Sequence, residues 1–171
     1  MNNITKLIII LSSTLLCACV NQNNIAHKKH SPVSQPCTKI KLLIDAHGSG
    51  FEQIKSTKLQ TRASNTWKAK YNIIGESCHI WTLGNSQTTY SCNITANDKA
   101  TADNYYQQAQ QTIKQCLGDD WVMEQQARKA DNGLKTTFTS TKANISVSTH
   151  IVPEKTLRSE KWTIYYYIGN P

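Results

Sequence analysis

Apolar and polar positions alternate along several short stretches of this chain and recur at three- and four-residue spacing in one long stretch. TKIKLLIDA, residues 38–46, sets Ile40, Leu42 and Ile44 against Lys39, Lys41 and Leu43, which predicts a strand with one buried face, closed by Gly48 and Gly50. FEQIKSTKLQ, residues 51–60, predicts a short helix seated on Phe51 and Ile54. TWKAKYNII, residues 66–74, alternates cleanly, with Trp67, Ala69, Tyr71 and Ile73 opposed by Lys68, Lys70 and Asn72, and predicts a second strand.

NDKATADNYYQQAQQTIKQCLG, residues 97–118, carries Ala102, Tyr105, Tyr106, Ala109, Ile113, Cys116 and Leu117 on one side and glutamines on the other. With Asn97 or Asp98 able to cap it and Gly118 able to stop it, this is one amphipathic helix over about 98–117. WVMEQQARK, LKTTFTST, NISVSTHIV and KWTIYYYIG follow as four strands, the first two parted by the turn ADNG, and predict a C-terminal meander. The fold class is therefore α+β, antiparallel sheet of short strands with one long helix. The order strand, short helix, three strands, long helix, four strands hints at a unit of helix plus sheet used twice, but no residue motif repeats and the plain α+β class is preferred to that duplication.

One stretch has geometric content. CHIWTLGNSQTTYSC, residues 78–92, has turn residues Gly84, Asn85 and Ser86 at its middle. A hairpin centred on Asn85 sets Cys78 opposite Cys92, Ile80 opposite Tyr90 and Thr82 opposite Thr88. A disulfide there would contribute about 3 kcal/mol through chain entropy. Cys37 and Cys116 then form the second pair, while Cys37–Cys78 with Cys92–Cys116 stays open on sequence alone. In the last strand Trp162, Ile164, Tyr166 and Ile168 share one face, expected to be core, and Tyr165 and Tyr167 share the other, expected to contact a partner.

The first residues are organised differently. Lys6 precedes an apolar run from Leu7 to about Leu16, a signal-peptide layout too short for the roughly 20 apolar residues of a membrane span. Leu16-Cys17-Ala18-Cys19 resembles the lipobox of bacterial lipoproteins. The resemblance implies cleavage after Ala18 and lipid on Cys19. The count agrees, since losing Cys17 and capping Cys19 leaves 6 − 2 = 4 cysteines, whereas an unlipidated Cys19 would be an odd thiol in an oxidising compartment. The expected organisation is a signal peptide at 1–18, a flexible tether at 19–37 rich in Asn, Gln and Pro, and one disulfide-bonded domain at 38–171.

Charge narrows the partners. Lys and Arg exceed Asp and Glu by 19 − 11 = +8, or +7 once Lys6 is removed with the signal. The lysines are scattered instead of forming a stripe, which favours an acidic envelope protein, anionic lipid or cell wall over nucleic acid. Candidate chemistry is thin. His27 and His30 lie in the tether without further ligands, so no metal or other cofactor is expected. Asp45, His47 and Ser49 are the residue types of a hydrolase triad but sit on one extended stretch, and Asp119 and Asp120 are neighbours in a turn. Cys78 has His79 beside it, yet neighbours on a strand face opposite ways.

No catalytic residue emerges. The expected function is that of a lipoprotein in the envelope, anchored to the outer membrane with its domain in the periplasm, acting as a non-enzymatic binding or assembly module. Two other classes stay open: an inhibitor or immunity protein against a toxin or lytic enzyme, and a small periplasmic enzyme. The enzyme would need Asp45, His47, His79 and His150 to converge in a pocket.

Overall fold

A helix followed by four antiparallel strands occurs twice in succession. The computed structural model describes residues 36–61, 64–75, 77–82, 84, 87–155 and 160–169. The first unit comprises α1 (Pro36–His47), β1 (Lys55–Leu59), β2 (Asn65–Ala69), β3 (Ser77–Thr82) and β4 (Thr88–Ala96). The second comprises α2 (Lys99–Leu117), β5 (Val122–Ala127), β6 (Leu134–Ser140), β7 (Ala143–Lys155) and β8 (Glu160–Ile168). The eight strands of the described residues join one antiparallel sheet in the order β1-β2-β3-β4-β8-β7-β6-β5. Two meanders thus meet at their last strands, and the first strand of each becomes an outer edge.

The α+β class, the long helix and the C-terminal meander agree with the pattern of the sequence. Asp98 caps α2, its carboxylate accepting from the Thr101 amide and the Thr101 hydroxyl at 2.8 Å each. At the other end Gly118, at φ 75°, donates its amide to the Lys114 carbonyl. The predicted hairpin register is also observed: Cys78 faces Cys92, Ile80 faces Tyr90 and Thr82 faces Thr88.

Two predicted elements are different. Residues 38–46 are helical, not extended, and the helix begins at Pro36, two residues before the expected domain boundary. Alternation would turn Leu43 away from Ile40, but both are fully buried. A helix places residues three apart on one face, and α1 buries that face in the core it shares with Ile113 of α2 and the sheet. Pro36 suits a first helical turn, where its missing amide leaves no bond unmade. Residues 51–60 are a turn and a strand, not a helix. Gly50 and Phe51 both adopt positive φ, 63° and 62°, which no helix start tolerates, and Lys55–Leu59 then pairs with β2. Residues 70–74 also leave the ladder: β2 ends at Ala69, and Ile73 and Ile74 pack at the border of the core.

The core lies between the helices and one face of the sheet. Ile40, Leu43, Phe51, Ile54 and Ile113 pack with Ile80, Tyr90, Val147, Phe138, Tyr166 and Ile168. A second cluster joins Ala102 and Tyr106 of α2 to Ala96, Ile151, Trp162 and Ile164. Among the described residues there are two disulfides, Cys78–Cys92 across the β3–β4 hairpin and Cys37–Cys116 from the start of α1 to the end of α2. The alternative pairing is thereby excluded. Among the described residues no helix is long and apolar enough to cross a membrane.

Candidate functional site

Side chains alternate across a strand, so every strand that points one residue into the core points the next to the opposite face. Both core clusters draw on the same face of the sheet, the face that meets α1 and α2. Among the described residues the opposite face carries no helix. It is polar and aromatic. The register sets Ser77, Asn93, Tyr165, His150 and Lys135 in one row across β3, β4, β8, β7 and β6. The neighbouring row holds Lys68, His79, Ser91, Tyr167 and Ser148.

Tyr165 and Tyr167 stand in the middle of these rows and stack on each other, ring centroids 5.9 Å apart. His150 leans on Tyr167 at 4.9 Å. Small hydroxyl residues are sunk between the larger groups: Ser148 and Thr163 are buried, and Thr163 shares a hydrogen bond with Thr95 at 3.1 Å. Trp81 lies over this face and donates from its indole nitrogen to the Ser91 hydroxyl at 3.2 Å.

Arg128 closes one side. The chain leaves β5 there and turns at Asp131, whose carboxylate accepts from the Gly133 amide at 2.8 Å. Only glycine fits at 133, because a Cβ would lie 2.2 Å from the Ile151 carbonyl oxygen. The turn directs the Arg128 guanidinium back over the sheet, where Nε donates to both Asp131 oxygens and a terminal nitrogen donates to His150 Nδ1 at 2.7 Å. Accepting from an arginine requires Nδ1 to be unprotonated, so the ring proton sits on Nε2, 3.3 Å from the Ser148 hydroxyl.

Electrostatics follow from burial. Desolvation, with Arg128 and Lys135 close by, holds His150 down to about 4, so the imidazole is neutral at physiological pH. Burial and the neighbouring Tyr165 push the Tyr167 phenol up to about 12. Tyr165 is raised by burial and by Glu154, to which its hydroxyl donates at 3.1 Å. The centre of the face is therefore neutral and rich in hydrogen-bonding groups. Around it stand Lys68, Arg128, Lys135 and Lys161 against Glu124, Asp131 and Glu154, with Arg128 paired to Asp131 and Lys161 opposite Glu154.

The residues an enzyme would need do not converge. Asp45 is on α1 and lines an open cavity of about 830 Å³ with Lys41, Ser49 and Gln53, on the helical side of the molecule. His47, also on α1, packs its ring on Phe51 at 5.5 Å. His79 and His150 share the helix-free face but lie on β3 and β7, with β4 and β8 between them, roughly 14 Å of sheet at the usual strand spacing. Asp120 is exposed and pairs with Lys142 at 2.8 Å. Cys78 is oxidised and offers no thiol.

Alternation alone assigned Tyr165 and Tyr167 to the face away from the core. The Arg128–Asp131–His150 cluster carries no comparable signal, because it depends on β5, β6 and β7 lying side by side in one register. Comparison with protein-family models, with curated proteins and with solved structures finds no match for this chain.

Proposed function

We propose that this chain is an envelope-anchored lipoprotein, tethered through Cys19, whose domain is a non-enzymatic binding module for another envelope component. The observation that carries the reading is the helix-free sheet face. Tyrosine and arginine are the side chains most enriched where protein surfaces hold partners, because they bring large rigid area together with hydrogen-bonding tips. Tyr165, Tyr167 and Arg128 are gathered on this face and held by contacts to His150, Glu154 and Asp131. The net positive charge of the chain favours an acidic partner, whether protein, anionic lipid or cell wall.

Anchoring rests on the lipobox-like Leu16-Cys17-Ala18-Cys19, which lies outside the described residues. The two disulfides suit the oxidising extracytoplasmic compartment that lipidation requires. Intact mass of the chain from bacterial membranes tests this part. A mature chain beginning at Cys19 with two or three acyl groups, and no alkylatable thiol before reduction, is expected. An unlipidated chain in the aqueous fraction would overturn it. The binding part predicts that Tyr165 and Trp81 are covered in the native envelope and reactive in the purified chain.

A further inference from the structure

The twofold use of one unit gives the sheet two outer edges of equivalent origin, β1 and β5. An edge strand presents unpaired amides and carbonyls and is open to pairing with another chain unless charge or irregularity blocks it. β1 is blocked. Its Lys55 and Lys58 place their ammonium groups 4.1 and 5.7 Å from the Trp67 ring, and its register with β2 is interrupted between those two lysines. β5 has neither device. All six of its residues are exposed, its pairing with β6 is unbroken, and Glu124 is its sole charge.

The exposed large apolar side chains of the described residues also gather here. Val122, Met123 and Leu134 are 69%, 45% and 36% exposed, and all three lie on the β5–β6 hairpin. We infer that β5 is the self-association edge of this protein, pairing antiparallel with β5 of a second copy about a two-fold axis through Gln125.

The register argues for a second copy of the chain. Centring on Gln125 keeps the helices of both copies on the same side, since residues of like parity face one another. Met123 then lies opposite Ala127 of the second copy. Because Ala127 already faces Leu134, and Met123 faces Phe138, the junction lines up Leu134, Ala127, Met123 and Phe138 in one apolar row across both copies. The two-fold makes this row twice. On the helix-free side Glu124 falls opposite Gln126, whose neighbour on β6 is Lys135, so an acid of one copy approaches a base of the other. No like charges meet. The product is one continuous sheet of twice the width, with the helix-free faces side by side.

Sedimentation velocity of the purified full chain across a concentration series tests this, with Met123→Lys as the disrupting variant and Gln125→Cys as the reporter. A reversible monomer–dimer equilibrium is expected, weakened by about tenfold or more in Met123→Lys, which seats an ammonium in the apolar row. Mild oxidation of folded Gln125→Cys is expected to give a covalent homodimer, whereas Thr57→Cys, on the blocked edge, stays monomeric. A chain that is monomeric throughout, or a dimer that Met123→Lys leaves unchanged, overturns the inference. So does a Gln125→Cys adduct formed in membranes with a different polypeptide, which would assign the edge to a foreign strand.

Discussion

Replacing Cys37 and Cys116 together by serine is expected to lower the stability of the fold more than any other pair of changes, by about 4.5 kcal/mol in the chain-entropy model. The bond closes a loop of 79 residues, against 14 for Cys78–Cys92, whose loss should cost about 3 kcal/mol. The difference has a structural side as well. α1 buries only Ile40 and Leu43 completely and makes few contacts with the sheet, so its position depends on α2 and on the covalent link to it. The denaturant midpoint should fall, and amide exchange over residues 38–47 should accelerate before exchange in β7 and β8 does. Equal loss of protection in α1 and the central strands would mean that α1 is held by its packing instead.

Acid should destabilise the protein through His150. In the folded state its imidazole is held down to about 4, against 6.5 when exposed, so the unfolded chain binds a proton that the native chain refuses. Stability from this group is complete above about pH 6.5 and is lost as pH falls toward 4, where the native ring finally protonates beside Arg128. The shift corresponds to about 3 kcal/mol, reduced toward about 2 kcal/mol because the Arg128 side chain is itself 25% exposed and screened by water. His150→Gln keeps an oxygen that can accept from Arg128 and has no proton to gain. Unfolding curves at pH 7 and pH 4 should therefore differ less in the variant than in the parent chain. An identical difference in both would locate the acid sensitivity elsewhere.

How much of this was legible in the sequence depends on how local the deciding interaction is. The caps of α2 and the register of the β3–β4 hairpin rest on residues a few positions apart, and both are as the sequence predicts. The two faces of β8 follow from the period of two, which put Tyr166 in the core and Tyr165 opposite it. α1 misled because LLI at 42–44 is apolar in either period. What decided it is the burial of Ile40 and Leu43 in the core they share with Ile113 of α2, whose end is tied to Cys37 across most of the first unit. The turn at residues 50–51 was hidden for a similar reason. Phe51 accepts positive φ because its ring is fully buried among the core side chains, which neighbouring sequence does not reveal. The charge cluster on the helix-free face needs three strands in register before Arg128 can reach His150.

A binding module of the envelope must have its helix-free face covered by another component there. Hydroxyl-radical footprinting with mass-spectrometric readout, on cells carrying the full chain and on the purified protein, measures this directly. Tyr165 and Trp81 report that face, and Tyr105 of α2 reports the helical side. Tyr165 and Trp81 are expected to be strongly protected in cells relative to the purified chain, while Tyr105 reacts equally in both. Equal reactivity of Tyr165 and Trp81 in both settings, or protection confined to Tyr105, would contradict it.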